Sequence, residues 1–159
     1  MLLIISFTKD FILLPRNNCR GQEMEYLLKK LNYKDQDRIC IINGNNGFIR
    51  GIKKIRPSLR VDREIDPKYL YSFFLIFISK ESELRETAPK SIHNLSEDGI
   101  LWFAYPRQSS NNNDPGISRD KGWDPVSAHG FKPVRQVSID DNWSALRFRD
   151  ERFIRRRKK

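Results

Sequence analysis

Asn43-Gly44-Asn45-Asn46-Gly47, followed by Asp62, is the spacing in this 159-residue chain that comes nearest to nucleotide chemistry. A nucleotide or S-adenosylmethionine site needs glycines in the turn after a strand, so that backbone can approach the ligand. It also needs a carboxylate about 20 residues on for the ribose hydroxyls. Gly44, Gly47 and Asp62 meet that minimum. The full G-x-G-x-x-G fingerprint is absent, and Asn45 and Asn46 stand where a cofactor needs open backbone. A turn that uses Asn and Gly for left-handed backbone explains the same residues. The expectation is that no cofactor is bound.

Other chemistries find less footing. No G-x-S-x-G elbow surrounds Ser109, Ser110 or Ser144, and His93 and His129 stand apart from any H-E-x-x-H pattern or triad. Cys19 and Cys40 form no C-x-x-C pair and lie far from both histidines, so no metal site is expected. Reduced thiols suit a cytoplasmic protein. Asp140 and Asp141 could pair as acid and base, but adjacent aspartates at a hairpin tip commonly serve the turn. What remains is a polar and aromatic rim, Asn43, Tyr105, Arg107, Ser109, Ser110 and, at the hairpin, Asp141 and Trp143. Such a rim suits an anionic small molecule or a protein partner.

The elements that position these groups follow from hydrophobic pattern. Ile100 to Tyr105 is a six-residue apolar run closed by Pro106 and Arg107. It reads as a strand buried on both faces, which proline ends because it cannot donate a ladder hydrogen bond. In open parallel sheets ligands bind just beyond such strand ends. Tyr71 to Ser79 is the strongest strand and should be central. Met24, Leu27, Leu28 and Leu31 mark one face of a helix over Gln22 to Tyr33. A strand over Arg38 to Asn43 comes next, then a short helix carrying Phe48, Ile52 and Ile55. A brief strand follows at Leu59 to Val61. Ser79 should cap a helix over Leu84 to Leu95 that Pro89 interrupts. Asp98-Gly99 turns the chain into the Ile100 strand. Arg107 to Gly122 is a long polar loop, of the kind that serves as a lid or binding loop. Trp123 to His129 gives a short helix stopped by Gly130. Pro133 to Ile139 and Trp143 to Arg149 alternate around Asp140-Asp141-Asn142, an antiparallel hairpin at the sheet edge. Alternating strands and helices with a terminal hairpin imply a three-layer α/β domain, Rossmann-like and methyltransferase-like, with a mostly parallel sheet.

Charge is uneven. From Arg147 to Lys159 there are eight basic and two acidic residues, whereas the other 146 residues hold 22 basic and 18 acidic. The excess belongs to a basic tail, 150–159, which could contact nucleic acid by releasing counterions. At the other end, Leu2–Phe7 and Phe11–Leu14 are split by Lys9 and Asp10, too short and too charged to span a bilayer. Residues 1–23 are read as an extension upstream of a natural start at Met24, leaving 24–149 as the domain.

Two motifs carry a family resemblance. Leu101-Trp102-Phe103-Ala104-Tyr105-Pro106-Arg107 and Trp143-Ser144-Ala145-Leu146-Arg147-Phe148 resemble the L-W-x-x-[WY]-P-[KR] and W-S-[AG]-L-[KR]-[FL] motifs of an uncharacterised bacterial domain family. Pro133 to Asp141, the leucine-rich helix and the strand ending at Asn43 are also similar. The resemblance covers roughly Met24 to Arg149. It implies a small methyltransferase-like Rossmann domain whose cofactor glycines are degenerate, and it brings no established activity. The expected function is a non-catalytic ligand- or protein-binding module. The competing readings are an S-adenosylmethionine-dependent methyltransferase and a nucleic-acid accessory protein acting through the tail.

Overall fold

The computed structural model describes residues 16–107 and 116–155. In chain order they form α1 (Arg16–Lys30), β1 (Arg38–Ile42), α2 (Asn46–Ile55), β2 (Arg60–Asp62), β3 (Tyr71–Phe77) and α3 (Glu81–His93). β4 (Leu95–Pro106), α4 (Asp124–Ser127), β5 (Phe131–Ser138) and β6 (Trp143–Asp150) follow, with a 3₁₀ turn over Glu151–Phe153. Six strands make one sheet in the order β2-β1-β3-β4-β6-β5. The four strands from β2 to β4 are parallel, and β6 and β5 close the sheet as an antiparallel pair. This is the expected methyltransferase-like Rossmann architecture, with β3 in the interior.

Period-two alternation on the central strands fills both faces. Tyr71, Phe74 and Ile76 of β3 point into one core, with Leu101 and Phe103 of β4 and with Leu84 and Ala88 of α3. Phe73, Leu75, Ile100 and Trp102 point into the other, against Leu28 and Leu31 around the end of α1 and Ile52 of α2. Burying each such side chain contributes about 1.5–3 kcal/mol, which is why two continuous apolar runs suffice to place the middle of the sheet. Trp102 is fully buried, and its indole Nε1 donates to the Leu31 carbonyl at 2.8 Å, satisfying one of the orphan acceptors past the helix end. α1 itself closes on Asn32 at φ 62°, with Tyr33 N donating to Leu28 O and Asn32 N to Lys29 O. That is a Schellman stop in which Asn tolerates the left-handed position.

Some local expectations are corrected. The first helix, expected over Gln22 to Tyr33, runs instead over Arg16–Lys30. Lys80, not Ser79, occupies the N-cap of α3, and the Ser79 hydroxyl instead donates to Glu83 Oε1 at 2.8 Å. α3 runs on through Pro89. Pro89 is exposed, so the missing backbone bond falls on the solvent side while Leu84, Ala88 and Ser91 hold the other side to the sheet. β4 begins before Asp98-Gly99, which becomes an irregularity within the strand, Asp98 taking φ 51°. β5 does not alternate. Lys132 to Gln136 are all exposed, and its register with β6 slips between Pro133 and Arg135. The strand lies on the sheet's edge, where a bulge and charged side chains discourage further pairing. Gly130 stops the short helix at φ 80°, as expected. No helix among the described residues is long and apolar enough to cross a membrane.

Candidate functional site

The turn after β1 stands at the carboxyl end of the parallel strands, where this architecture places ligands. Asn43 leaves the strand at φ 60°, and its Nδ2 donates to the Phe77 carbonyl at 3.2 Å, tying the ends of β1 and β3 together. Gly44 is buried. A Cβ there would lie 2.9 Å from Ile41 Cγ2 and 3.3 Å from Ile49 Cδ1, so the chain's own packing demands the glycine. Asn45 caps α2, its Oδ1 accepting from Phe48 N at 2.7 Å. Gly47 lies in the first turn of α2.

Arg63 occupies the approach to this turn. Its Nη2 donates to the Gly44 carbonyl and its Nη1 to Asn46 Oδ1, each at 2.8 Å. The guanidinium therefore spans the gap between the end of β2 and the turn after β1, beside the strand end at which this architecture carries its ribose-binding carboxylate when a dinucleotide is bound.

Asp62 points elsewhere. Its Oδ2 accepts from Arg38 Nε at 2.7 Å and from the Tyr71 hydroxyl at 2.5 Å, and its Oδ1 from Arg60 Nε at 3.2 Å. Arg38, Arg60 and Tyr71 are the first residues of their strands, at the opposite end of the sheet from the Gly44 turn. Arg38 also meets Asp66 at 3.2 Å and lies 4.2 Å from the centre of the Tyr69 ring. Burial pushes the Asp62 carboxyl up, but the hydrogen bonds from Tyr71 and Arg38 outweigh it and hold the group below the usual carboxylate range. Burial, then the bond to Asp62, pushes the Tyr71 phenol up to about 12. Burial likewise pushes the neighbouring Cys40 thiol up to about 12. Gly44 and Gly47 are thus brought together after β1, and Asp62, the last residue of β2, turns its carboxylate away from them to the first residues of the strands.

The rest of the rim divides the same way. Tyr105 faces inward, 4% exposed, with its hydroxyl accepting from Gln136 Nε2 at 2.8 Å and its ring edge-on to Trp123. Arg107 stands at the strand end but is tied to the hairpin, donating Nε to Ser144 Oγ at 3.3 Å and Nη2 to Ser138 Oγ. Trp143 is half-buried and packs edge-on against Phe77 at 5.1 Å, and Phe77 meets Phe48 at 5.5 Å. Asp141 is exposed at the hairpin tip, while Asp140 shapes the turn by accepting from Asn142 N and Trp143 N. Ser109 and Ser110 lie outside the described residues. His93 and His129 are exposed, at the end of α3 and just past α4. Asn43, Arg107 and Trp143 stand just past β1, just past β4 and at the start of β6. The sequence reading missed Arg63, whose single signal was its place directly after the acidic residue of β2.

No family model matches the sequence, and no curated protein matches it. Among solved structures, the chain is similar to the N-methyltransferase NodS from Bradyrhizobium japonicum WM9 bound to S-adenosyl-L-homocysteine. That likeness has a TM-score of 0.53 at 12% identity over 91% of this chain and 93% of that one. It is also similar to a SAM dependent methyltransferase from Aquifex aeolicus, with TM-score 0.53 and 9% identity over 86% and 94% of the two chains. The glycopeptide N-methyltransferase MtfA gives 0.53 at 7% identity over 85% of this chain and 99% of that one. At such identities the likeness is one of fold.

Proposed function

We propose that this chain is a non-catalytic binding module on a methyltransferase-like fold, acting in the cytoplasm, in which the protein's own groups fill the cofactor cleft. The observation that carries the reading is the Arg63 guanidinium across Gly44 and Asn46. Asp62 supports it, since its oxygens already accept from Arg38, Tyr71 and Arg60. A ribose entering here must displace the exposed Arg63 guanidinium from both of its acceptors, which opposes binding. Recognition then falls to the rim of Asn43, Arg107 and Trp143, with Asp141 at its tip, toward an anionic small molecule or a protein partner. Calorimetric titration of the full chain with S-adenosylmethionine tests this. No binding in the micromolar range is expected.

The second reading is a methyltransferase using Gly44, Gly47 and Asp62 on S-adenosylmethionine. The specific observation favouring it is the shared fold with NodS, the Aquifex aeolicus protein and MtfA. It requires Arg63 to leave the turn and Asp62 to leave Arg38. Micromolar binding that Asp62→Asn weakens by tenfold or more would establish it and overturn the first reading.

A further inference from the structure

The outer hairpin carries four cations in two cross-strand ranks on one face of the sheet. Lys132 stands opposite Arg149, and Arg135 opposite Arg147. The slip in register between Pro133 and Arg135 puts both ranks on the face that Trp102 and Val137 share, because it adds one residue to β5 without adding one to β6. The outer rank is neutralised: Lys132 meets Glu151 at 3.0 Å, and Arg149 grips Asp98 through two bonds of 2.8 and 2.7 Å. The inner rank has no carboxylate partner among the described residues. Arg147 Nε is buried without a hydrogen-bond acceptor.

Like charges directly opposed on a sheet destabilise it, and a buried donor without an acceptor adds to the cost. Burial and then the charge of Arg149 push the Arg147 guanidinium below its ordinary range, with Arg135 adding to the effect and Asp98 opposing it. A position that works against stability in two ways is explained when an anion completes it. Two guanidinium forks side by side match the oxygens of a phosphate. β5 is exposed from Lys132 to Gln136, so this face is open rather than concave. Open, positive surfaces hold polyanions, which bind through repeated contacts and counterion release, better than small molecules, which need enclosure. The positive charge also continues past the hairpin, for from Phe131 onward there are ten basic residues against four acidic ones.

A ring borders the same face. Lys30 of α1 donates to the Ser138 carbonyl at 3.0 Å, three residues along β5 from Arg135. Its ammonium lies 5.2 Å from the centre of the Tyr26 ring, and Tyr26 is 65% exposed. An exposed aromatic beside a cation on a positive face is a stacking platform for an unpaired base.

We propose that the β5–β6 face is a single-stranded nucleic-acid site, with Arg135 and Arg147 on the phosphodiester backbone and Tyr26 under a base. Fluorescence anisotropy with a labelled single-stranded RNA of mixed sequence tests it, using the full chain across a salt series. Arg135→Gln with Arg147→Gln is expected to weaken binding about tenfold or more and to flatten the log–log salt slope by about 1.4, the share of two single-strand contacts. Neutralising Arg155, Arg156, Arg157, Lys158 and Lys159 to Gln should weaken binding further without erasing the effect of the pair. Binding left intact by the double variant, absence of binding by the natural chain, or complete dependence on the tail would overturn the proposal. So would a loss seen on vesicles of phosphatidylserine and phosphatidylcholine in equal parts but not on RNA. Arg147→Met guards against a folding artefact. It should raise the melting temperature while weakening RNA binding, and a lowered melting temperature with lost binding would assign Arg147 a structural role and contradict the site.

Discussion

The start of the parallel strands and the outer hairpin handle charge in opposite ways. At Arg38, Asp62 and Tyr71 each polar group has a partner, and Asp62 alone accepts from three donors. At Arg135 and Arg147 two cations face each other, and one buried nitrogen has no acceptor. The first cluster binds β1, β2 and β3 to one another and has nothing left to offer a ligand. The second sets like charges opposite one another, with Arg135 exposed and Arg147 half-buried. On a fold shared with solved methyltransferases, the Asp62 carboxylate is spent on Arg38, Arg60 and Tyr71, while the cations of the inner hairpin rank have no carboxylate partner among the described residues.

Breaking the paired cluster should have the largest effect. Asp62→Ala leaves the Arg38 guanidinium and the Tyr71 hydroxyl without their acceptor, and urea denaturation should show a loss on the order of 3 kcal/mol. A loss near zero would mean that the two regions do not differ in the way described. Tyr71→Phe removes one donor while leaving the ion pair, and should cost about 1 kcal/mol in the same assay.

The pH dependence of stability separates the regions by titration. Asp62 is held below its unfolded value, so its contribution is complete above the ordinary carboxylate range and is lost as pH falls through the lowered folded value. Tyr71 and Cys40 are raised to about 12, so their contribution is complete below their unfolded values and is lost as pH rises toward about 12. Melting followed against pH should show both limbs, with the acid limb shallower in Asp62→Asn and the alkaline limb shallower in Tyr71→Phe. Asp62 takes its hydrogen bonds from Arg38, Arg60 and Tyr71, so Arg135→Gln with Arg147→Gln should leave the acid limb where it is.

Salt gives the smallest and most selective contrast. Screening relieves repulsion between exposed like charges, so raising sodium chloride should stabilise the natural chain by a few tenths of a kcal/mol. The gain should shrink in the Arg135→Gln, Arg147→Gln variant and persist in Asp62→Asn. An equal gain in all three would deny the inner rank any repulsion to relieve.

The middle of the sheet was legible because burial on both faces leaves continuous apolar runs, as in Tyr71 to Phe77 and Ile100 to Tyr105. The hairpin was legible because Asp140 to Asn142 separates two β-rich segments. The direction of Asp62 was not. Spacing from Gly44 says how far along the chain a carboxylate lies, but its partners were decided by Arg38 and Tyr71, which only the register of three strands brings near. Arg63 reads as any surface arginine until that same register sets it over the turn. Tyr105 looked like rim because it precedes Pro106, whereas the period of two along β4 turns it inward beside Phe103. The opposed arginines depend on a single slipped residue in β5, and no local residue pattern announces it.

Backbone amide spectra of the full chain, recorded with and without millimolar S-adenosylmethionine, test most directly whether Arg63 closes the cleft. The resonances of Gly44, Asn46, Gly47 and Arg63 should stay in place. Shifts centred on those four residues would mean that the guanidinium yields to S-adenosylmethionine and that the cleft is a working cofactor site.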